Sequence, residues 1–481
     1  MERRIGRDRE CEELSRAMES SRSEFVVLYG RRRIGKTFLV RSFFKDRFDF
    51  HYVGAHKAKT VVQLQNFRKA LIRYGDNANV PSFSNWMEAF EYLASWLERL
   101  DSTKRKILFF DEMPWIDAKQ SDFVAALEYF WNSWVAMRDD IFLIACGSAT
   151  SWMADKLIDN PGGLHNRITR RIYLRPFTLH ECEEYLESRG FDWDRYQIIQ
   201  CYMALGGVPF YWSLLEKEFS LPQNIDRLCF RMDGMLRTEF DELYSALFSN
   251  AERYISVVRT LANHREGMTR EEIMEATRLT GGNLSKVLKN LERCDFITSY
   301  AQFGLKSKSA IIRLSDFYTL FYFKFIHDER GHDDDYWLHH YLTQSVAIWQ
   351  GLTFELVCLA HLPQIKKALG ISGMETQVST WRYIPGKISK QDLPAKGAQI
   401  DLLIARADKI VHLCEAKFSE GKYVITKEYE QHLRERLDIF RQVTRKNGGM
   451  VHTFITPQGV ANGSHSSIVH SEVTADGLFA E

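Results

Sequence analysis

Phe25-Val26-Val27-Leu28-Tyr29-Gly30-Arg31-Arg32-Arg33-Ile34-Gly35-Lys36-Thr37 is the stretch on which the fold turns. Its five leading apolar residues predict a buried strand. Phe38-Leu39-Val40, with Phe43 and Phe44 one turn on, predicts a helix. The residues between them fit the phosphate-loop pattern G-x-x-x-x-G-K-[ST]. Glycines at the two ends let backbone N–H groups wrap a phosphate chain, and the helix N-terminus adds partial positive charge. Lys36 is expected to reach the β- and γ-phosphates of ATP, and the Thr37 hydroxyl to hold Mg²⁺. The candidate nucleotide-binding residues are Gly30, Arg31, Arg32, Arg33, Ile34, Gly35, Lys36, Thr37 and Phe38. The plainer alternative is a Gly-Arg loop on a basic surface.

The chain has 481 residues, 45% of them hydrophobic and 26% charged, with a net charge of +1. That length suggests about three or four domains with ample core. The charge balance excludes a global polyanion binder, so any nucleic-acid contact must come from local patches. The start, Met1-Glu2-Arg3-Arg4-Ile5-Gly6-Arg7, lacks the apolar core of a signal peptide. The longest apolar run, Tyr318 to Ile326, is short, contains Lys324 and is no membrane span. Eight cysteines without a C-x-x-C pair suit reduced thiols in a cytoplasm.

Residues 1 to about 170 alternate strand-like runs with helical patterns, the sign of a parallel α/β sheet. The runs are Phe25–Tyr29, a weaker one near Phe48–Val53, Ile107–Phe110 and Ile141–Cys146, with Ile172-Tyr173-Leu174 as an edge. Ile107-Leu108-Phe109-Phe110-Asp111-Glu112 ends a buried strand on two acids, at the sheet edge where α/β ligands bind. Asp111 is the candidate for the Mg²⁺ shell and Glu112 for aligning the attacking water. Ser148, just past Ile141–Gly147, is a candidate for contacting the γ-phosphate or its water; a capping role for the following helix is the equal alternative.

From about 176 to 245 the pattern is helical, broken at Gly206-Gly207-Val208-Pro209. Then three helix-like segments precede two strands. Thr269-Arg270-Glu271-Glu272 opens one helix with a capping box. Gly281-Gly282-Asn283 is expected to break the chain before Leu284–Cys294. Phe296–Gln302 and Ala310–Leu314 are expected strands, with Lys306-Ser307-Lys308 as a basic tip between them. This predicts a helix–turn–helix with a wing. Lys286, Lys289 and Arg293 give its last helix only a weak DNA-binding signal.

Beyond the charged stretch His327 to Asp335, a last α/β unit begins near 336. Gln399–Ile404 and Lys409–Lys417 read as two strands of a hairpin centred near Asp408. That centre sets Asp401 opposite Glu415, and the two-residue strand period puts Glu415 and Lys417 on one face. The carboxylates could chelate Mg²⁺ or Mn²⁺, and Lys417 could orient a water or stabilise charge on a phosphate. Glu-x-Lys alone carries nothing; Glu420-Gly421-Lys422 is such an accident. A helix Trp349–His361 adds Glu355. Tyr429–Val443 reads as a helix with Gln431 and Arg434 near its start, and Val451–Ile455 as a further strand.

Ile5-Gly6-Arg7-Asp8-Arg9-Glu10, the phosphate loop, Asp111-Glu112, Cys146-Gly147-Ser148 and Gly206-Gly207-Val208-Pro209 together resemble the archaeal and bacterial P-loop ATPases related to AAA+ and STAND proteins. The resemblance implies that Ile5 and Arg7 border the adenine, and that the Gly-Gly-x-Pro turn lies in a helical lid. It commonly brings a winged helix, and a C-terminal domain of unknown function. Arg167 and Arg170 are candidates for an arginine finger. The helix, strands, helix, strand order of the last unit resembles the PD-(D/E)XK nuclease superfamily, which implies Glu355, Asp401 and Glu415 as metal ligands and Asp401, Glu415 and Lys417 as catalytic residues. Ile400 stands where that superfamily often has proline.

The expected fold class is α/β: a P-loop NTPase sheet of ASCE/AAA+ type over 1–175, a helical lid over 176–245, a winged helix–turn–helix over 246–315 and a restriction-endonuclease-like domain over 316–481. The expected activity is ATP hydrolysis needing Lys36, Asp111, Glu112 and Ser148, coupled to DNA, with no membrane partner and room for a homo-oligomer or protein partner. Three mechanisms compete: ATP-dependent DNA processing, a regulatory switch without cleavage, and a small-molecule kinase. Asp111-Glu112 and the winged helix speak against the last.

Overall fold

The computed structural model describes residues 4–481 except 76–79, 102–103, 149, 160–161, 163, 165, 249, 306–308, 328–333, 386–393 and 447. The chain divides into two compact units, Met1–Pro176 and Phe177–Glu481.

The first unit is built on five parallel strands: β1 (Glu24–Tyr29), β2 (Phe50–Val53), β3 (Lys106–Asp111), β4 (Ile141–Gly147) and β5 (Arg170–Tyr173). Their order is β2-β3-β4-β1-β5, so β4 separates the loop-bearing strand from the acid-bearing strand, and β5 is an edge as expected. Strand alternation sends Phe25 and Val27 into one core layer and Val26 and Leu28 into the other. A sheet buried on both faces explains why β1 and β4 are apolar almost throughout. Helices Trp86–Glu98 and Phe123–Ser133 cover one face with the ring cluster of Phe90, Phe130 and Trp86. This is the α/β fold of the P-loop class.

The second unit begins with short helices. Helix Arg195–Leu205 ends at Gly206, and Pro209 opens the next, Pro209–Ser213. Gly207 is obligatory there: a Cβ would sit 2.0 Å from the Phe177 carbonyl oxygen. Helices Ala251–Ala262, Arg270–Thr277 and Gly281–Arg293 follow, then the antiparallel pair β6 (Ile297–Tyr300) and β7 (Ile311–Leu314). The Thr269/Glu272 capping box forms as read. The expected break at Gly281-Gly282 does not: Thr280 is the cap and both glycines lie in the helix's first turn. First-turn N–H groups have no intrahelical acceptor to lose, and the Gly281 carbonyl accepts from Arg270 Nη2 at 2.9 Å. Lys286 and Lys289 are exposed and Arg293 is half-buried. The expected wing tip, Lys306-Ser307-Lys308, lies outside the described residues.

The C-terminal part carries a mixed sheet, β12-β11-β10-β9-β8. Its strands are β8 (Thr376–Tyr383), β9 (Ala398–Arg406), β10 (Val411–Ala416), β11 (Met450–Ile455) and β12 (Val469–Val473). Helix Gln344–Ala360 packs on one face and helix Lys427–Thr444 on the other, through Leu402, Ile404 and Cys414 on one side and Leu403, Leu413 and Phe440 on the other. The β6–β7 unit docks on edge strand β8. Phe303 N–H donates to the Thr380 carbonyl at 2.8 Å, Thr380 N–H donates to the Ala301 carbonyl at 3.0 Å, and Phe303 meets Phe440 with ring centroids 5.3 Å apart. All eight cysteines are free thiols, and all are buried. Among the described residues, no single helix is long and apolar enough to cross a membrane.

Candidate functional site

The strand–loop–helix of residues 24–44 turns back on itself because Gly30 has φ 150, Arg33 φ 68 and Gly35 φ 86. At Gly30 the constraint is absolute, since a Cβ would lie 2.5 Å from the Leu174 carbonyl oxygen of the chain leaving β5. The Lys36 ammonium lies within the loop, donating to the carbonyls of Gly30 at 3.0 Å and Arg31 at 2.8 Å. It is buried, so these carbonyls offset the desolvation of its charge. Thr37 Oγ1 donates to Asp111 Oδ2 at 2.8 Å, and Asp111 Oδ1 accepts the Glu112 N–H at 2.9 Å. Glu112 takes a left-handed backbone (φ 50) at the start of helix Met113–Ile116, which directs its side chain to Ser148. The Ser148 hydroxyl donates to Glu112 Oε2 at 2.9 Å. Thus β1, β3 and β4, with strand order interleaved, bring Lys36, Thr37, Asp111, Glu112 and Ser148 to one sheet edge. Ala149, which Ser148 was equally expected to cap, lies outside the described residues.

The other candidates divide. Ile5 and Arg7 are buried, and Arg7 Nη2 donates to the Ile34 carbonyl at 3.3 Å, which ties the N-terminal segment to the loop. Phe38 is 45% exposed. Arg31 is buried, and Arg32 and Arg33 are half-buried. Arg167 is exposed and Arg170, at the start of β5, is half-buried.

In the C-terminal sheet, β9 and β10 pair antiparallel with Ala405 opposite Val411 and Leu402 opposite Cys414. The ladder's last pair is Leu402–Cys414; carried one position further, the same register sets Asp401 against Glu415, as the hairpin centre at Asp408 implies. Glu355, Asp401, Glu415 and Lys417 converge on a cavity of about 150 Å³, together with Tyr429, His432 and Arg436. The last three belong to no sequence motif; it is the rotation of helix Lys427–Thr444 on the sheet that turns them inward. Gln431 and Arg434 point elsewhere, bonded to Glu435 and Glu430.

Charge in this cluster is heavily compensated. Arg436 pairs with Glu415, whose other oxygen accepts the Tyr429 hydroxyl at 2.8 Å. Arg313 of β7 pairs with Asp401, which also accepts from Gln399 Nε2 at 2.8 Å. Lys417 Nζ lies 4.7 Å from the Tyr429 ring centroid. Burial pushes the Glu355 carboxyl well above the usual range, and the negative charge of Asp401 adds to it. Burial lowers the Lys417 ammonium in spite of Glu355 and Asp401. Among the described residues, no group of three or more His, Cys, Asp or Glu side chains is set to hold a metal ion. The donor types for a divalent cation are present, but Asp401 Oδ1 and both Glu415 oxygens already accept from cationic or hydroxyl donors.

Residues 5–215 match the family described as an ATPase domain predominantly from Archaea. The N-terminal part of this chain is a P-loop ATPase domain. An uncharacterized protein of Methanocaldococcus jannaschii, MJECL04, is 25% identical over 334 residues, which is 67% of this chain and 68% of that protein. The uncharacterized ATP-binding protein MJ0423 of the same organism is 37% identical over 43 residues, 9% of this chain and 73% of that one. Among solved structures, the Walker-type ATPase paby2304 of Pyrococcus abyssi aligns with a TM-score of 0.46 at 15% identity, covering 67% of this chain and 96% of that one. The matched segment takes in the loop, Asp111-Glu112, Ser148 and the Gly206-Gly207 turn.

Proposed function

We propose that this chain binds ATP in the loop Gly30–Phe38 and hydrolyses it, and that the nucleotide state governs a C-terminal unit directed to nucleic acid. The observation that carries the first half is the chain of contacts from Lys36 and Thr37 through Asp111 and Glu112 to Ser148. Thr37 and Asp111 are the residues that would hold Mg²⁺, which when bound supplies charge neutralisation at the β- and γ-phosphates. Lys36 exchanges its two carbonyl partners for phosphate oxygens. Glu112 aligns the attacking water and takes its proton, and Ser148 holds that carboxylate in place. Ile5 and Arg7 border the base.

For the second half, the support is the convergence of Glu355, Asp401, Glu415 and Lys417 at one cavity. Three acids beside a lysine suit phosphodiester chemistry with Mg²⁺ or Mn²⁺. As arranged, Arg313 and Arg436 occupy the carboxylates, so cleavage requires both to let go. Those same pairs favour a second reading, in which the unit binds DNA or protein and does not cut. The experiment is phosphate release with and without single- and double-stranded DNA, with the DNA followed on a gel in Mg²⁺ and Mn²⁺. Nicking lost in Asp401→Ala and Lys417→Ala supports cleavage. DNA binding that depends on ATP and survives Asp401→Ala without any nicking supports the switch. Full ATP turnover in Lys36→Ala would overturn the ATPase assignment.

A further inference from the structure

A second cavity, of about 340 Å³, shares Glu355 and Asp401 with the first. It lies between the helix–hairpin unit and the C-terminal sheet, inside the second unit of the chain. Its apolar wall is Leu261 from helix Ala251–Ala262, Leu320, and Leu352 and Leu356 from helix Gln344–Ala360. Its polar wall includes Arg265 and Arg313, which share the lining with the carboxylic acids Glu266, Glu355 and Asp401. Arg313 is committed to Asp401 and donates from Nε to the Glu266 carbonyl at 3.3 Å. Arg265 makes no hydrogen bond or ion pair among the described residues, and Glu355 is the opposite charge acting on it. It is half-buried, and burial lowers its pKa against the opposing pull of Glu355.

A half-buried guanidinium with unspent donors beside a leucine wall fits a ligand with an oxyanion at one end and a flat apolar body at the other. The guanidinium fork matches phosphate bidentately, and the leucines can take the face of a base. The volume is near the lower end of small-ligand sites, roughly 300–1,000 Å³. It cannot admit a duplex, whose major groove alone is about 12 Å wide. We infer that this cavity is a binding site for one unstacked nucleoside-phosphate unit, with Arg265 on its phosphate and Leu261, Leu352 and Leu356 against its base. The inference rests on reading the C-terminal unit as directed to nucleic acid, and it names the substrate form: a strand end or an unpaired nucleotide, presented beside Glu355 and Asp401. Placing the unit there costs unstacking, which is least for strands already unpaired.

The test is direct binding, with no metal added, so that it does not depend on cleavage. Full-length Lys36→Ala protein, with its ATP loop impaired, is titrated calorimetrically with thymidine 3′,5′-bisphosphate, which offers phosphate on either side of the sugar. Parallel titrations use a 5′-phosphorylated oligothymidylate and a relaxed, covalently closed circular duplex, which offers neither ends nor unpaired loops. Arg265→Ala and Leu352→Trp are added to the same background, the second to fill the cavity while leaving every charge in place; thermal unfolding checks that each folds. The expected result is binding of the bisphosphate or the single strand, weakened at least tenfold by both substitutions, and little binding of the closed circular duplex. Bisphosphate without strand binding identifies a free nucleotide as the ligand; strand binding identifies a terminal or unpaired unit. Affinity unchanged in Leu352→Trp and Arg265→Ala, or circular-duplex binding equal to that of the single strand, overturns the inference. Absence of nicking with this binding intact removes only the cleavage reading.

Discussion

Arg313, on the hairpin strand β7, forms an ion pair with Asp401, on the C-terminal strand β9, 88 positions along the chain. The pair is asymmetric: the Arg313 side chain is 3% exposed and that of Asp401 30%. Asp401 can therefore recruit water more readily than Arg313 if its partner is lost.

Asp401→Ala should accordingly destabilise the second unit more than Arg313→Ala does. Stranding the buried guanidinium costs on the order of 3 kcal/mol, and leaving a partly solvated carboxylate about 1 kcal/mol. Urea unfolding of both single variants and the double variant measures the order and the coupling. Equal losses would contradict the asymmetry, and a double variant as weak as the sum of the two would contradict the coupling.

His361 makes stability depend on acid. Its Nε2 accepts the Leu179 N–H at 2.9 Å, so Nδ1 is the protonated nitrogen, donating to the Val357 carbonyl at 2.8 Å. Protonating Nε2 would destroy the first contact, and burial holds the ring down from 6.5 to about 4. Below pH 6.5 the unfolded chain takes a proton that the folded chain refuses. Stability should thus fall between pH 6.5 and 4 by up to about 3 kcal/mol and level off below. His361→Gln, which keeps no titrating group, should flatten that part of the pH profile of the melting temperature.

Glu112→Gln should lower ATP turnover by about 10²-fold or more, since it removes the group that takes a proton from water. Ser148→Ala should lower kcat by roughly tenfold, by releasing the Glu112 carboxylate, and leave the KM for ATP nearly unchanged. A matching rise in KM for Ser148→Ala would mean that the hydroxyl serves nucleotide binding instead.

Gly30→Ala should cost the first unit about 2–4 kcal/mol, through a Cβ driven against a backbone oxygen and a left-handed φ. The clash at 2.5 Å is with the Leu174 carbonyl, which cannot rotate away as a side chain could. Thermal unfolding without nucleotide checks it; an unchanged melting temperature would show that β5 yields.

Much of the architecture could be read along the chain. Buried strands β1, β3 and β4 announce themselves because both faces are covered and nearly every residue is apolar. That Asp401 and Glu415 come to one cavity agrees with the hairpin centre. Strands β8 and β12 escape such reading: Thr376–Tyr383 and Val469–Val473 sit at the two sheet edges, keep exposed polar residues and carry no continuous apolar run.

The amino-acid order by itself determined the phosphate loop, the acids that end β3, and the hairpin that sets Asp401 near Glu415. Each depends on residues a few positions apart, where chain geometry leaves few arrangements. Only the tertiary structure decided what those groups touch. Ser148 meets Glu112 because β3 and β4 lie side by side. Arg313 and Arg265 reach Asp401 and Glu355 because the hairpin unit docks on an edge strand. Arg436, Tyr429 and His432 enter because of how one helix is rotated on the sheet. Long side chains from distant elements are brought together by packing, and no local periodicity encodes which charge will find which.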